Sequence, residues 1–213
     1  MKKIFNLLLI VMIGIFYFQC SNRKDGTGLT ITLGAYTVPK EVYQKEIIPA
    51  FKKYWLEKTG QEVNFNESYI ASGAQSRAIL AGFEADIAAL SLEKDVERLK
   101  EAGFITHDWK AKKFQGFVTR SIVVFAVRQG NPKNIQDWED LAQTGISVLY
   151  PSPKTSGGAM WDVNAIYGAG LKYSENKTGV RDKNYAKELL KSIQRNVKVM
   201  DKSGRASVTT FEN

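Results

Sequence analysis

The residues of this chain that could do chemistry are mostly neutral. Four short stretches place small or hydroxyl-bearing residues directly before a predicted helix. They are Tyr36-Thr37-Val38-Pro39, Ala71-Ser72-Gly73, Lys154-Thr155-Ser156-Gly157-Gly158 and Ser203-Gly204-Arg205-Ala206-Ser207. The first N–H groups of a helix have no intrahelical acceptor, and the helix dipole leaves partial positive charge there. Glycine lets a ligand reach the backbone, and Ser or Thr adds a hydroxyl donor. Taken singly, each stretch is an ordinary N-cap. Several such ends converging on one point would hold a small oxyanion without a full countercharge.

Groups suited to catalysis are scarce. The one His, His107, lies in the loop-like run Ile105-Thr106-His107-Asp108. Asp137, Glu139 and Asp140 crowd one predicted helix and read as a solvated face. There is no G-x-S-x-G elbow, no His/Cys metal cluster and no G-x-x-x-x-G-K-[ST] phosphate loop. The expectation is therefore a binding protein rather than an enzyme, with no catalytic residue, no metal and no cofactor.

Thirty Lys and Arg against 22 Asp and Glu give a net charge of +8, and about +6 once Lys2 and Lys3 are set aside with the leader described below. The basic residues are dispersed along helices among Glu residues, and only Lys110-Ala111-Lys112-Lys113 is a tight cluster. Affinity for a nucleic-acid backbone needs a concentrated stripe, so no nucleic-acid partner is expected. A diffuse positive field is compatible with steering small anions.

The elements that must position these stretches alternate. Strands are predicted at 29–35, 62–68, 86–91, 118–128, 146–150 and 197–200, from β-branched runs and two-residue alternation. Helices are predicted over 40–58, 74–81, 93–102, 134–144, 159–171 and 184–194, with another beginning near Ser207. Pro49 should kink the first helix or open its second half, Gly60 should stop it, and Asn134 should cap the fourth. Residues 172–183 read as a polar loop. Alternation of this kind predicts an α/β fold with a largely parallel sheet, whose ligands sit beyond the C-terminal ends of the strands.

The N-terminus reads as an export leader. Met1-Lys2-Lys3 is basic, 4–18 is nearly continuous apolar chain, and Cys20 follows. The apolar run is short for a transmembrane span and suits a signal-peptide core. The pattern resembles a bacterial lipoprotein leader, with Cys20 lipidated and the new N-terminus; an ordinary signal peptide or an uncleaved anchor is the alternative. Residues 21–28 then form a tether.

Two further segments carry a family resemblance. Gly130-Asn131-Pro132-Lys133 with Asp137-Trp138-Glu139-Asp140-Leu141, followed by Tyr150-Pro151-Ser152-Pro153-Lys154-Thr155-Ser156-Gly157-Gly158-Ala159-Met160, resembles the bacterial sulfate-binding proteins of ABC transporters. Ser152 and Met160 stand where that family's pattern has Asn and Arg. Thr59-Gly60-Gln61-Glu62-Val63 with Glu67-Ser68 resembles a second family motif, with Glu67 where Gln is usual. The resemblance implies a periplasmic-binding-protein fold of type II, two α/β lobes with the anion in the cleft. By motif position it places sulfate contacts on Ser72, Ser156, Gly157, Gly158 and Gly204, and more weakly on Thr37, where many members have Asp. It implies a periplasmic protein, reaching the membrane only through a possible N-terminal lipid anchor, that delivers sulfate to ABC transporter permease subunits.

Sulfate is a dianion without a proton at neutral pH, whereas phosphate usually keeps one that wants a carboxylate acceptor. The sulfate-contact stretches contain no Asp or Glu, which favours sulfate over phosphate though not over thiosulfate. Lobe one is expected at 29–117 and lobe two at 118–213. Family members are longer, so the chain is expected to be a truncated member, with poor sulfate binding and marginal stability. A non-functional fragment is the rival reading.

Overall fold

The computed structural model of the chain describes residues 28–213. The leader at 1–20, Cys20 and all but the last residue of the tether lie outside the described residues. Strand β1 (Leu29–Ala35) is followed by helical turns at α1 (Lys40–Val42) and a π-helical stretch, Tyr43–Ile47, that runs directly into α2 (Ile48–Thr59). Pro49 thus falls in the first turn of α2, directly after the π-helical stretch, and opens the second half of the helical run. Gly60 ends α2 in the left-handed region, at φ 73°.

Strand β2 (Val63–Tyr69), helix α3 (Ser72–Leu80), strand β3 (Ile87–Ala89) and helix α4 (Glu93–Glu101) complete a first layer. Its three strands are parallel in the order β2-β1-β3, with Leu33 opposite both Glu67 and Ile87. Helix α3 comes close to β1 because residue 34 is Gly: a Cβ there would lie 2.8 Å from Nε2 of Gln75. Leu33, Ala35 and Ile48 form the buried centre, flanked by Tyr43, Phe65 and Tyr69.

A second, smaller sheet pairs β4 (Val148–Leu149) with β5 (Val197–Val199), again parallel. Helices α5 (Gly157–Thr178), α6 (Lys183–Asn196) and α7 (Gly204–Glu212) follow or connect these strands. Ile135, Leu141, Ile166, Leu189 and Ile193 make its core. The two long helices touch at backbone distance, since a Cβ on Gly170 would fall 2.6 Å from the Cα of Ala186.

Three sequence expectations are corrected. The run Val118–Arg128 forms no strand, although it carries the longest strand-like pattern. Ladder hydrogen bonds make a strand, and none of the described residues pairs with it. Phe125 still turns inward, stacking edge-on against Trp138 at 5.2 Å, while Ile122 and Val124 remain 81% and 70% exposed. The helix expected from Asn134 shrinks to one 3-10 turn, Trp138–Ala142, capped by Asp137. Asn131 explains the delay: its side chain bonds both the N–H and C=O of Ile135 at 2.9 Å and holds a turn through Asn134. The polar loop expected at 172–183 is mostly helix, as α5 runs to Thr178 and ends at Gly179, φ 78°. Its polarity marks a solvated face; Tyr173 packs against the core, and buried Ser174 accepts from the N–H of Asp182 at 2.8 Å.

Candidate functional site

Every one of the four stretches lies beyond the C-terminal end of a parallel strand. Thr37 follows β1, Ser72 follows β2, Ser156 to Gly158 follow β4, and Gly204 follows β5. A fifth loop, Ser91-Leu92 after β3, joins them. Parallel strands deliver all their C-terminal ends to one edge of the sheet, and each helix then starts with its N-terminus aimed there.

Within the first layer these loops are tied together by backbone. The N–H of Tyr36 donates to Ala89 O at 2.9 Å, and that of Ile70 to Ala35 O at 3.3 Å. Within the second, the N–H of Ser152 donates to Asp201 O at 2.7 Å, and Thr155 Oγ1 donates to Lys202 O at 2.8 Å.

The two sets of loops then meet. The N–H of Gly73, at the start of α3, donates to Thr155 O at 3.0 Å. Gly157, at the start of α5, is pressed against α3 and the loop before α4. A Cβ on it would sit 2.5 Å from Ser91 Oγ, 3.0 Å from Leu92 Cβ and 3.3 Å from Ser72 Cβ. Gly204 packs against the side chain of Val38, next to Thr37. Arg205 is hydrogen-bonded to Glu41, and that bond is the largest cause holding the Glu41 carboxyl below its ordinary range.

Ser72, Ser156 and Gly157 are therefore brought into one buried cluster. Gly158 lies beside it, meeting only Ser156 Oγ at 3.5 Å from a notional Cβ. Gly204 and Thr37 belong to a neighbouring contact, linked to the cluster through Thr155 and Lys202. None of the six is a charged residue.

The two buried serines are not equivalent. Ser156 is the N-cap of α5, and its Oγ accepts from the N–H of Ala159 at 3.4 Å, which leaves its proton for a ligand. Ser72 Oγ accepts from the N–H of Ser91 at 3.0 Å and gives its proton to Asp95 Oδ2 at 2.7 Å. What Ser72 offers a ligand is its backbone N–H, in the first turn of α3, where no intrahelical carbonyl reaches it.

Asp95 is the residue that sequence reasoning missed. The sulfate-contact stretches are free of carboxylates, but the fold brings one behind Ser72 from α4. The only signal was its place in the first turn of a predicted helix following the short strand β3. Among the described residues no group of three or more His, Cys, Asp or Glu could hold a metal ion.

The sequence model of a family described as bacterial extracellular solute-binding protein matches residues 31–213. A sulfate-binding protein of Synechococcus elongatus is 39% identical over 194 residues, 91% of this chain and 53% of its own length. The sulfate-binding protein of Escherichia coli is 36% identical over 204 residues, 89% of this chain and 60% of its own length. A thiosulfate-binding protein of Pseudomonas aeruginosa is 35% identical over 179 residues, 83% and 52% respectively. Among solved structures, the sulfate-binding protein SubI from Mycobacterium tuberculosis is similar with a TM-score of 0.75 at 38% identity, covering 86% of this chain and 61% of that one. The chain thus spans between about half and three-fifths of the length of these relatives.

Proposed function

Because this chain belongs to the bacterial extracellular solute-binding protein family, we propose that it binds sulfate where the starts of α3 and α5 meet, beside the start of α7. The observation that carries the reading is the contact of Gly157 with Ser72 and Ser91, which sets two helix N-termini against each other across the two sheets. Ser72, Gly157, Gly158 and Gly204 would give backbone N–H groups and Ser156 its hydroxyl, with Thr37 at the rim. A dianion held this way needs no Lys or Arg, because aligned peptide dipoles and unpaired N–H groups supply the positive potential. Relatives named as sulfate-binding proteins support the choice of anion.

Thiosulfate is the second reading, favoured by the thiosulfate-binding relative. It shares the proton-free tetrahedral form. On this reading 29–117 and 118–213 act as two lobes that hold the anion between them. The protein works in the periplasm, exported by the leader, anchored through a lipidated Cys20, and passes its ligand to an ABC permease.

Calorimetric titration tests the binding. Sulfate should bind saturably, with a dissociation constant below about 1 mM, and hydrogen phosphate should bind much more weakly. Equal affinity for phosphate, or no sulfate heat at all, refutes the reading. Mass spectrometry of the membrane fraction should find a diacylglyceryl group on Cys20; an intact Met1 in the cytosol rules the anchor out.

A further inference from the structure

Asp95 is only 4% exposed, and its two carboxylate oxygens are both engaged. Oδ2 takes the Ser72 proton at 2.7 Å, and Oδ1 takes a guanidinium N–H of Arg98 at 3.2 Å. Its backbone carbonyl accepts from Ser76 Oγ at 2.9 Å. That last bond already ties α3 to α4 and would form with any residue at position 95. A buried carboxylate is an expensive way to repeat the same tie. What the carboxylate adds is a charged acceptor that binds the Ser72 hydroxyl and an Arg98 N–H at once.

We propose that Asp95 is a positioning residue of the anion site, acting through Ser72; the inference rests on the oxyanion reading above. With its proton given to Asp95, Ser72 Oγ has only lone pairs left, and one of these holds the N–H of Ser91 at 3.0 Å. A lone pair facing a dianion repels it, so the hydroxyl stays turned toward Asp95 and Ser91. The backbone N–H of Ser72 is the group left to face the anion. The charge-assisted bond to Asp95 also polarises the hydroxyl, which strengthens its grip on Ser91. The Ser91 loop is the surface against which Gly157 packs. One carboxylate thereby fixes the start of α3, the loop before α4 and, through that loop, the seat of α5. The Arg98 guanidinium offsets the negative charge that Asp95 would otherwise turn toward the ligand.

The test uses Asp95→Asn, Ser72→Ala and the double variant of the full chain. Sulfate titration, thermal melting and NMR amide exchange at Ser91 are measured on each. Each single variant should weaken sulfate binding by about tenfold, the scale of one charge-assisted hydrogen bond. The double variant should be no weaker than the weaker single one, because both act through one hydroxyl. Ser91 exchange should quicken in both single variants relative to the amides of α6.

A purely structural Asp95 would lower the melting temperature and leave the affinity of the folded chain unchanged, which overturns the proposal. Tighter binding by Asp95→Asn overturns it too, since the carboxylate would then act by repulsion. So do losses that multiply in the double variant. Should Asp95→Asn fail to fold, Ser72→Ala carries the same comparison. If the parent chain takes up no sulfate, the oxyanion reading fails, and Ser91 exchange decides the Asp95 assignment alone: unchanged exchange in Asp95→Asn overturns it.

Discussion

Replacing Gly157 by Ala should separate the site from the fold that carries it. The added methyl would lie 3.0 Å from Leu92 Cβ and 2.5 Å from Ser91 Oγ. The serine hydroxyl can rotate away, but the Leu92 Cβ is fixed to its backbone. Carbon atoms settle at about 3.5–4.0 Å apart, so the first turn of α5 must retreat from Leu92 by at least about 0.5 Å. A charged hydrogen bond works best at about 2.7–2.9 Å between heavy atoms. Retreat on that scale loosens the Gly157 and Gly158 donors together. Losing one such bond costs about 1.5–3 kcal/mol, which is roughly 10- to 150-fold in affinity.

The same substitution lowers the entropy of the unfolded chain, worth about 0.4–1 kcal/mol of stability, which offsets part of the crowding at Leu92. Melting should therefore fall less than sulfate binding does. Gly168→Ala, in the same helix but away from the site, is the matched control. Its Cβ meets nothing within 4 Å. It should keep sulfate affinity within about threefold and melt slightly higher. Calorimetry and melting curves on the three chains settle the matter. Gly157→Ala binding as tightly as the parent, or Gly168→Ala losing as much, would refute the reasoning.

Ser156→Asp should abolish sulfate binding by setting a carboxylate against a dianion, whereas Ser156→Ala should lose about 1–2 kcal/mol of binding through one hydroxyl donor; titration of both variants checks this. Gly170→Ala should cost about 2 kcal/mol of stability, because the methyl would fall 2.6 Å from the Cα of Ala186 and force α5 and α6 apart; denaturant unfolding reads it. Burial raises the Asp162 carboxyl to about 6, above the unfolded value of about 3.9. Its contribution to stability is then complete below about pH 4 and is lost as pH rises through about 6. Asp162→Asn should match the parent near pH 4 and exceed it at pH 8 by about 1 kcal/mol, a figure kept below the full shift because the carboxyl is part-exposed and screened; melting curves across that range test the sign.

The helix starts that frame the candidate site were legible wherever short polar stretches abut helices. Ser72, Ser156, Gly157 and Gly204 each carry the local marks of a helix start, and parallel strands send such starts to one edge whatever the details between. The strands β1, β2 and β5 were legible because alternation and β-branching coincide with ladders that exist. Val118–Arg128 shows the limit of that signal: its β-branched and aromatic run reads as a strand, but pairing is a property of a neighbour that a local pattern cannot see. The cap at Asp137 was hidden because Asn131 spends its side chain on Ile135, a local bond that outcompetes a helical start at Asn134. Asp95 was hidden for another reason. It lies 23 residues from Ser72, and only the folding of β3 and α4 onto α3 turns a first-turn acid into a buried partner.

No ladder hydrogen bond joins the two sheets among the described residues. Each sheet closes with helices from its own span of chain, and the spans meet where Gly73 bonds Thr155 and Gly157 abuts Leu92. In folding terms, two sheets without a shared ladder are expected to open as separate units, coupled through that seam. An anion that takes donors from both sides adds its binding free energy to the seam alone, growing with the logarithm of its concentration. On the oxyanion reading, two unfolding events would merge into one as sulfate is added, and the cooperativity of the whole chain would be something its ligand confers.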